Sequence, residues 1–258
     1  MQHGLTTLLS TLRRENRQQS GLDPSLVPPD VGTAYTIAAD IGRELGWSVG
    51  GWKIAAMKAE MQRALRTDRP IYGRVFKQFI LASRTNFAGR RLLHPLSEIE
   101  YAALLGKDMP PREQPYSESE VADAILSLHP GLELAECRFV HDASFPPLTA
   151  ILADGSGSGF IIYGEPIADW RSKDIAGQEA VLWVNGVVKR RGRAADAIDH
   201  PLVPLTWLAN ELSRTGIGLK AGAMVSTGTL TGMALARPGD EHVADYGPLG
   251  EVRIKFSA

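Results

Sequence analysis

The stretch 97–108, SEIEYAALLGKD, carries glutamates at 98 and 100, and a third acid, Glu133, stands further along in LHPGLELAECRF. In a β-strand successive side chains point to opposite faces, so Glu98 and Glu100 share one face and Ile99 takes the other. Two like charges in a partly buried cleft raise each other's pKa unless a cation lies between them. A third carboxylate arriving from another strand makes a small, hard, oxygen-rich site of the kind that Mg²⁺ or Mn²⁺ occupies, with positions left for water or substrate. An E-x-E on an edge strand also reads simply as a solvated face, so the elements around it decide between the two.

Those elements belong to a chain of 258 residues, 44% hydrophobic, long enough to bury a real core. It is expected to hold a helical N-terminal region, 1–50, packed on a mixed-sheet region, 51–258, as one continuous domain. The net charge is −1 with acids and bases interspersed, which argues against nucleic-acid and membrane-surface partners. The one basic run, 189–193, reads as a solvated strand end after a hairpin. A single cysteine, Cys137, excludes an intramolecular disulfide, fits a reducing compartment and reads as a small core residue. No stretch approaches the roughly 20 apolar residues of a membrane span, and MQHGLTTLLSTLRREN lacks the parts of a secretory signal. A soluble, cytoplasmic protein is expected.

Leucines from 5 to 12 recur at helical spacing before QQSGLDPSLVPPD breaks the pattern. Asp30 or Thr33 caps a second helix whose Ala34, Ile37, Ala38, Ile41 and Leu45 line one face and which Gly46 ends. GWSVGGWKIA predicts turn and strand, 57–66 a short helix, and TDRPIYGRVF a turn entering a strand. Ser117 and Glu120 form a capping box ahead of Val121, Ala124, Ile125 and Leu128, with Pro130 and Gly131 expected to stop that helix and Glu133 to begin a new strand. VLWVNGVVKR predicts a hairpin with Asn185 and Gly186 in a type I′ turn. Residues 201–214 form a helix with a leucine stripe, and GAMVSTGTLTG and GEVRIKF are strands. Strands with interspersed helices and no regular βαβ alternation favour α+β over a doubly wound sheet.

Several other motifs fail. GSGSG is neither a P-loop nor a G-x-G-x-x-G opening a helix, and Gly157 stands where a hydrolase elbow needs serine. The histidines lack zinc spacing, and His94 and His129, each before a proline, read as turn residues.

Taken in order, GWKIAAMKAEMQ, DRPIYG, EIEYAALLGKD, PGLELAECRF, ADGSGSG, DHPL and STGTLTG followed by RPGD and VADYGPLGEVRIKF resemble the 2-hydroxypenta-2,4-dienoate (2-keto-4-pentenoate) hydratases and the related 4-oxalocrotonate decarboxylases of the fumarylacetoacetate hydrolase superfamily. The similarity runs from about residue 33 to the C-terminus. It implies a mixed β-sandwich roll with flanking helices, a homo-oligomer, and a divalent metal, Mg²⁺ or Mn²⁺, on Glu98, Glu100 and Glu133. Lys53 and Asp68 are implied in acid/base work. Asp154 and Ser156 of the turn, with Thr227 and Gly228, are expected at the substrate. Four positions depart from the family pattern: Gly155 replaces an amide residue, Ile71 an Asp, Ala103 a Phe and Ala223 an Asp.

The resemblance implies a metal-dependent lyase that adds water to a short 2-hydroxydienoic or 2-oxo-enoic acid, as in meta-cleavage degradation of aromatics. Decarboxylation of a 2-oxo diacid is the second reading. The third is a non-catalytic metal-binding partner of a companion pathway enzyme, motivated by Gly155, Ile71 and Ala103. Lys53 is expected to be neutral enough to move a proton, since desolvation and a neighbouring cation both lower a lysine's pKa.

Overall fold

The computed structural model describes residues 2–88 and 92–257. Leu5, Leu9 and Leu12 fall on one face of α1 (Gln2–Glu15), and Ala34, Ile37 and Ile41 on one face of α2 (Val31–Leu45). These two faces meet, and Phe139, Ala150, Leu152 and Ala153 extend the cluster. Asp30 caps α2 by accepting from the Thr33 N–H at 2.7 Å, and Gly46 ends it with φ 68°, a left-handed conformation that glycine adopts without steric cost.

Then follow β1 (Val49–Ala55), α3 (Ala59–Leu65), β2 (Ile71–Phe76), β3 (Ile80–Ala82), β4 (Asn86–Ala88), β5 (Leu96–Leu105) and α4 (Glu118–Ala124). The middle of the chain holds β6 (Ile125–Ala135), α5 (Leu148–Ala153), β7 (Phe160–Tyr163), β8 (Ala180–Val184), β9 (Val187–Gly192) and α6 (Ala194–Ala197). It closes with α7 (Leu202–Arg214), β10 (Met224–Ser226), β11 (Met233–Leu235), β12 (Glu241–Asp245) and β13 (Glu251–Ser257).

The larger sheet has the order β2-β1-β10-β5-β6-β7-β3, with β11 also paired to β5. Its outermost strands, β2 and β3, are joined by residues 77–79 alone, so so short a connection forces the sheet to curl until its two edges approach. Val75, Ala102, Ile161 and Met224 fill the inside of the curl. The opposite face, with Ile99, Tyr101, Leu132 and Ile162, packs on the second sheet, β4-β13-β12-β8-β9, through Leu182, Ala244, Tyr246 and Ile254. The architecture is therefore mixed, with curled sheets and several helices. Among the described residues no helix is long and apolar enough to cross a membrane.

Three sequence expectations change. The capping box forms as expected, with Ser117 accepting from the Glu120 N–H, but α4 ends at Ala124. Ile125 and Leu128 belong to β6, which runs straight through Pro130 and Gly131. Proline is tolerated there because its nitrogen faces the side where β7 has already ended, at the Gly131↔Tyr163 pair. His129 is consequently not a turn residue. It is buried in the strand, with one ring nitrogen 2.8 Å from the Gly164 carbonyl and the other 2.8 Å from the Ser127 hydroxyl. The basic run is the solvated strand end expected of it, but it lies within the hairpin's second strand, β9, up to Gly192 rather than after the hairpin. The hairpin turn itself has φ 51° at Asn185 and 76° at Gly186, as a type I′ turn requires.

Candidate metal centre

Antiparallel pairing of β5 with β6 sets Glu98 directly opposite Glu133, and Glu100 two residues along, opposite Gly131. Paired residues project from the same face, so all three acids point into the curl. They are buried, and each offers a carboxylate oxygen such that the three lie within 4.8 Å of one another. Lys53 joins them from β1, two strands away: Ala102 of β5 pairs with Ser226 of β10, which pairs with Lys53. Its Nζ lies 3.3 Å from Glu133 Oε1.

Three carboxylates against one ammonium leave two negative charges uncompensated in a desolvated place. Burial first, then the charge of Glu133, push Glu98 up to about 7, with Lys53 only partly offsetting them. Glu100 is raised well above the usual carboxylate range by burial and by both neighbouring acids, against the hydrogen bond from Ser226. Glu133 is also raised, burial outweighing the pull of Lys53. Burial alone lowers the Lys53 ammonium, but Glu133, Glu98 and Glu100 together outweigh it and the net direction is up. That direction belongs to the site without a cation, where the nearest charges are anionic; the sequence expectation of a depressed lysine is for a cation beside it.

The residues present fit a hard divalent cation. Both oxygens of Glu133 are buried without a hydrogen-bond partner, the Lys53 ammonium 3.3 Å from Oε1 being the one positive charge beside them, and buried acceptors so placed are costly unless more positive charge satisfies them. The donor set is all oxygen, and the missing charge is that of one Mg²⁺ or Mn²⁺.

The surrounding residues divide into those that meet the acids and those that do not. The Ser226 hydroxyl donates to Glu100 Oε2 at 2.5 Å, and the Gly228 N–H donates to the same oxygen at 2.7 Å. Gly228 therefore lies at the centre as a support for a ligand. Its neighbour Thr227 faces the other way, with its hydroxyl donating to the Tyr101 carbonyl. Tyr246 supports the centre from the second sheet. Its hydroxyl accepts from the Gly131 N–H at 3.2 Å and donates between the Glu100 and Gly131 carbonyls, at 2.5 and 2.7 Å. Neither Ser226 nor Tyr246 was singled out from the sequence. Alternation along β10 was a usable signal for Ser226, since Thr227 and Ser226 must face opposite ways; nothing local marks Tyr246.

Asp68 is not brought to the acids: it sits in an exposed turn, paired with Arg69 at 2.9 Å. Asp154 is fully buried, with its oxygens taken by the Arg13 side chain and the Arg138 N–H. The Ser156 hydroxyl donates to the Tyr72 carbonyl. Cys137 sits beside this network, and burial pushes its thiol up to about 12, far from a nucleophile's range.

The four departures are placed as follows. Ile71 is buried in the cluster of α1 and α2. Ala103 lies in the core between the sheets, and Ala223 packs against that core. Ala103 alternates with Glu98, Glu100 and Ala102 on β5 and faces away from the curl, whereas Ile71 shares the strand face of Gly73 and Val75. At Gly155, a side chain would start 3.4 Å from Arg13 Nη2; the guanidinium occupies the direction in which the family's amide would extend. A cavity of about 290 Å³ lined by Gly50, Lys77, Ile80, Leu104, His129 and Tyr163 does not include the acids. Chemistry here follows the donor groups rather than the concavity.

Comparison with known proteins returns one consistent picture. The profile of the family described as fumarylacetoacetate (FAA) hydrolase C-terminal matches residues 57–257. The chain is 29% identical over 216 residues to the 2-oxo-hept-4-ene-1,7-dioate hydratase of Escherichia coli, covering 82% of this chain and 80% of that one. It is 29% identical over 214 residues to a 2-keto-4-pentenoate hydratase of Paraburkholderia xenovorans, covering 83% and 78%. Among solved structures, the 4-oxalocrotonate decarboxylase of Pseudomonas putida G7, complexed with magnesium and adipate, superposes with a TM-score of 0.88 at 23% identity, covering 98% of this chain and 96% of that one. At that identity the likeness shows the fold.

Proposed function

The chain belongs to the fumarylacetoacetate hydrolase family, and from that premise we propose that it is a divalent-metal-dependent hydratase adding water to a short 2-hydroxydienoic or 2-oxo-enoic acid. The observation that carries this reading is the buried convergence of Glu98, Glu100 and Glu133 with Lys53 at 3.3 Å. When bound by the three glutamates, Mg²⁺ or Mn²⁺ supplies Lewis acidity toward the carboxylate and 2-oxygen of such an acid. The magnesium in the decarboxylase of similar fold and the names of the hydratase relatives support the metal and the substrate class.

The chain's own residues supply the remaining steps. Ser226 and Gly228 hold Glu100 Oε2, which orients the carboxylate and leaves its other oxygen for the centre. Lys53 Nζ, 3.3 Å from Glu133 Oε1, is the group placed to deliver a proton to the far carbon of the dienol while the 2-hydroxyl loses one. Water then adds across the enone, its hydroxyl to the fourth carbon and its proton to the third. Asp68 and the Thr227 hydroxyl take no part in this scheme. The sheets are read as the β-sandwich roll of the family, and the protein as a cytoplasmic homo-oligomer that works beside other enzymes of aromatic catabolism.

Purified protein with Mg²⁺ or Mn²⁺ is expected to consume 2-hydroxypenta-2,4-dienoate, followed by its ultraviolet absorbance, and to lose this activity with chelator. Release of carbon dioxide from 4-oxalocrotonate in place of hydration would establish the decarboxylase instead. No turnover of either acid would leave a metal-binding partner subunit.

A further inference from the structure

We propose that Arg13 of the first helix and Asp154 form a positioning pair that sets the place of Lys53; this rests on the catalytic reading of Lys53 above. The pair is built in the interior. Arg13 Nη2 donates to Asp154 Oδ1 at 2.9 Å and to the Asp154 carbonyl at 2.5 Å, while the Arg138 N–H donates to Oδ2 at 2.6 Å. Asp154 has no exposed surface, and Arg13 retains 9%. An aspartate so completely engaged has no oxygen to offer a substrate.

What Asp154 does hold is the turn that follows it. The Ser156 hydroxyl donates to the Tyr72 carbonyl at 2.5 Å and the Ser158 hydroxyl to the Arg74 carbonyl at 2.8 Å. Between them lies Gly73, where a Cβ would sit 2.0 Å from the Gly155 oxygen and 3.4 Å from Lys53 Cγ. Only glycine permits so close an approach of two backbones. The turn is thereby seated on three consecutive residues of β2, and Gly73 is the direct cross-strand partner of Lys53. The Gly155 carbonyl and the stem of the lysine thus stand on the same side of Gly73, the face where the glutamates converge. On its other side the turn meets Arg13, toward which a side chain at Gly155 would point. A chain of rigid contacts thus runs from α1 through Asp154 and the turn to β2 and Lys53. Displacements of about 1 Å in a reacting group cost rates on the order of 100-fold.

The test compares wild type with Arg13→Ala and Arg13→Lys in the presence of Mn²⁺. In Arg13→Ala, kcat for 2-hydroxypenta-2,4-dienoate is expected to fall roughly 10- to 100-fold. KM and Mn²⁺ affinity, the latter read by electron paramagnetic resonance, should stay close to wild type, and added methylguanidinium should restore much of the loss. Arg13→Lys keeps the charge but not the fork, and serves if the alanine variant does not fold; an intermediate kcat is expected. Amide hydrogen exchange should quicken at residues 72–74 and 155–158 in either variant. A kcat within about twofold of wild type, a parallel loss of Mn²⁺ affinity, or no rescue overturns the proposal. If wild type consumes no dienoate, the functional reading fails, and exchange at 72–74 still decides the positioning pair: unchanged exchange there overturns it.

Discussion

Glu98 and Glu133 are direct cross-strand partners on β5 and β6, both buried. Like charges placed opposite one another destabilise a sheet, and burial enlarges the penalty because the surroundings screen poorly. A cation shared between the two strands turns that penalty into attraction, so stability and metal binding are opposed in the metal-free protein and allied in the loaded one.

The opposition is testable at Glu98. In metal-free protein at pH 8, Glu98→Gln removes a buried charge without removing the direct partner of Lys53, and its melting temperature is expected to exceed wild type. Its affinity for Mn²⁺ should fall by more than the roughly 10- to 100-fold that follows loss of a supporting hydrogen bond. Calorimetric titration and thermal melts measure both, and a wild-type Mn²⁺ affinity would remove Glu98 from the centre.

The same residue sets a pH dependence. A carboxyl raised to about 7 in the folded chain keeps its proton at pH values where the unfolded chain has already lost it. The native state then binds more protons, so metal-free stability is full below the ordinary carboxylate range and declines as pH rises toward about 7. Melting temperatures of chelator-treated protein between pH 5 and 8, on the order of one unit apart, are expected to fall, and the increment produced by Mg²⁺ to grow over the same interval. A flat metal-free profile would contradict the burial of these charges.

Ser226→Ala deletes one of the two donors to Glu100 Oε2. The Gly228 N–H remains, so the metal should still bind, about 10- to 100-fold more weakly. Thr227→Ala is the contrast: its hydroxyl serves the Tyr101 carbonyl, and Mn²⁺ affinity is expected to match wild type. Equal affinities in all three proteins would show that Oε2 needs no such support.

Lys53→Met keeps the length of the stem without the ammonium. Turnover should drop by on the order of 10²- to 10⁴-fold, the usual worth of a positioned proton donor, while Mn²⁺ still binds, because the carboxylates lose a competing cation. An unchanged turnover number would assign the proton to another group.

Much of this was legible in the chain as written. The i, i+2 spacing of Glu98 and Glu100, the helical stripe of α2 with Asp30 before it, the Ser117–Glu120 capping box and the Asn185–Gly186 turn are local patterns, and each formed where its spacing placed it. Pro130 and Gly131 misled because they stop helices and turns in general. Here they lie in β6, where the neighbouring strand has ended and no ladder bond is lost.

The sequence by itself determined the alternation that puts Glu98 and Glu100 on one face, and the all-oxygen character of the ligands they offer. Tertiary structure decided which residues meet them. Register between β5 and β6 placed Glu133 opposite Glu98, and two further strand pairings brought Lys53 across. It also turned Asp154 away, toward an arginine 141 residues distant in the chain. Periodicity is a property of neighbouring residues and survives in the letters. Register, curl and long-range ion pairs arise only when the whole chain competes for one arrangement, and no short stretch contains that competition.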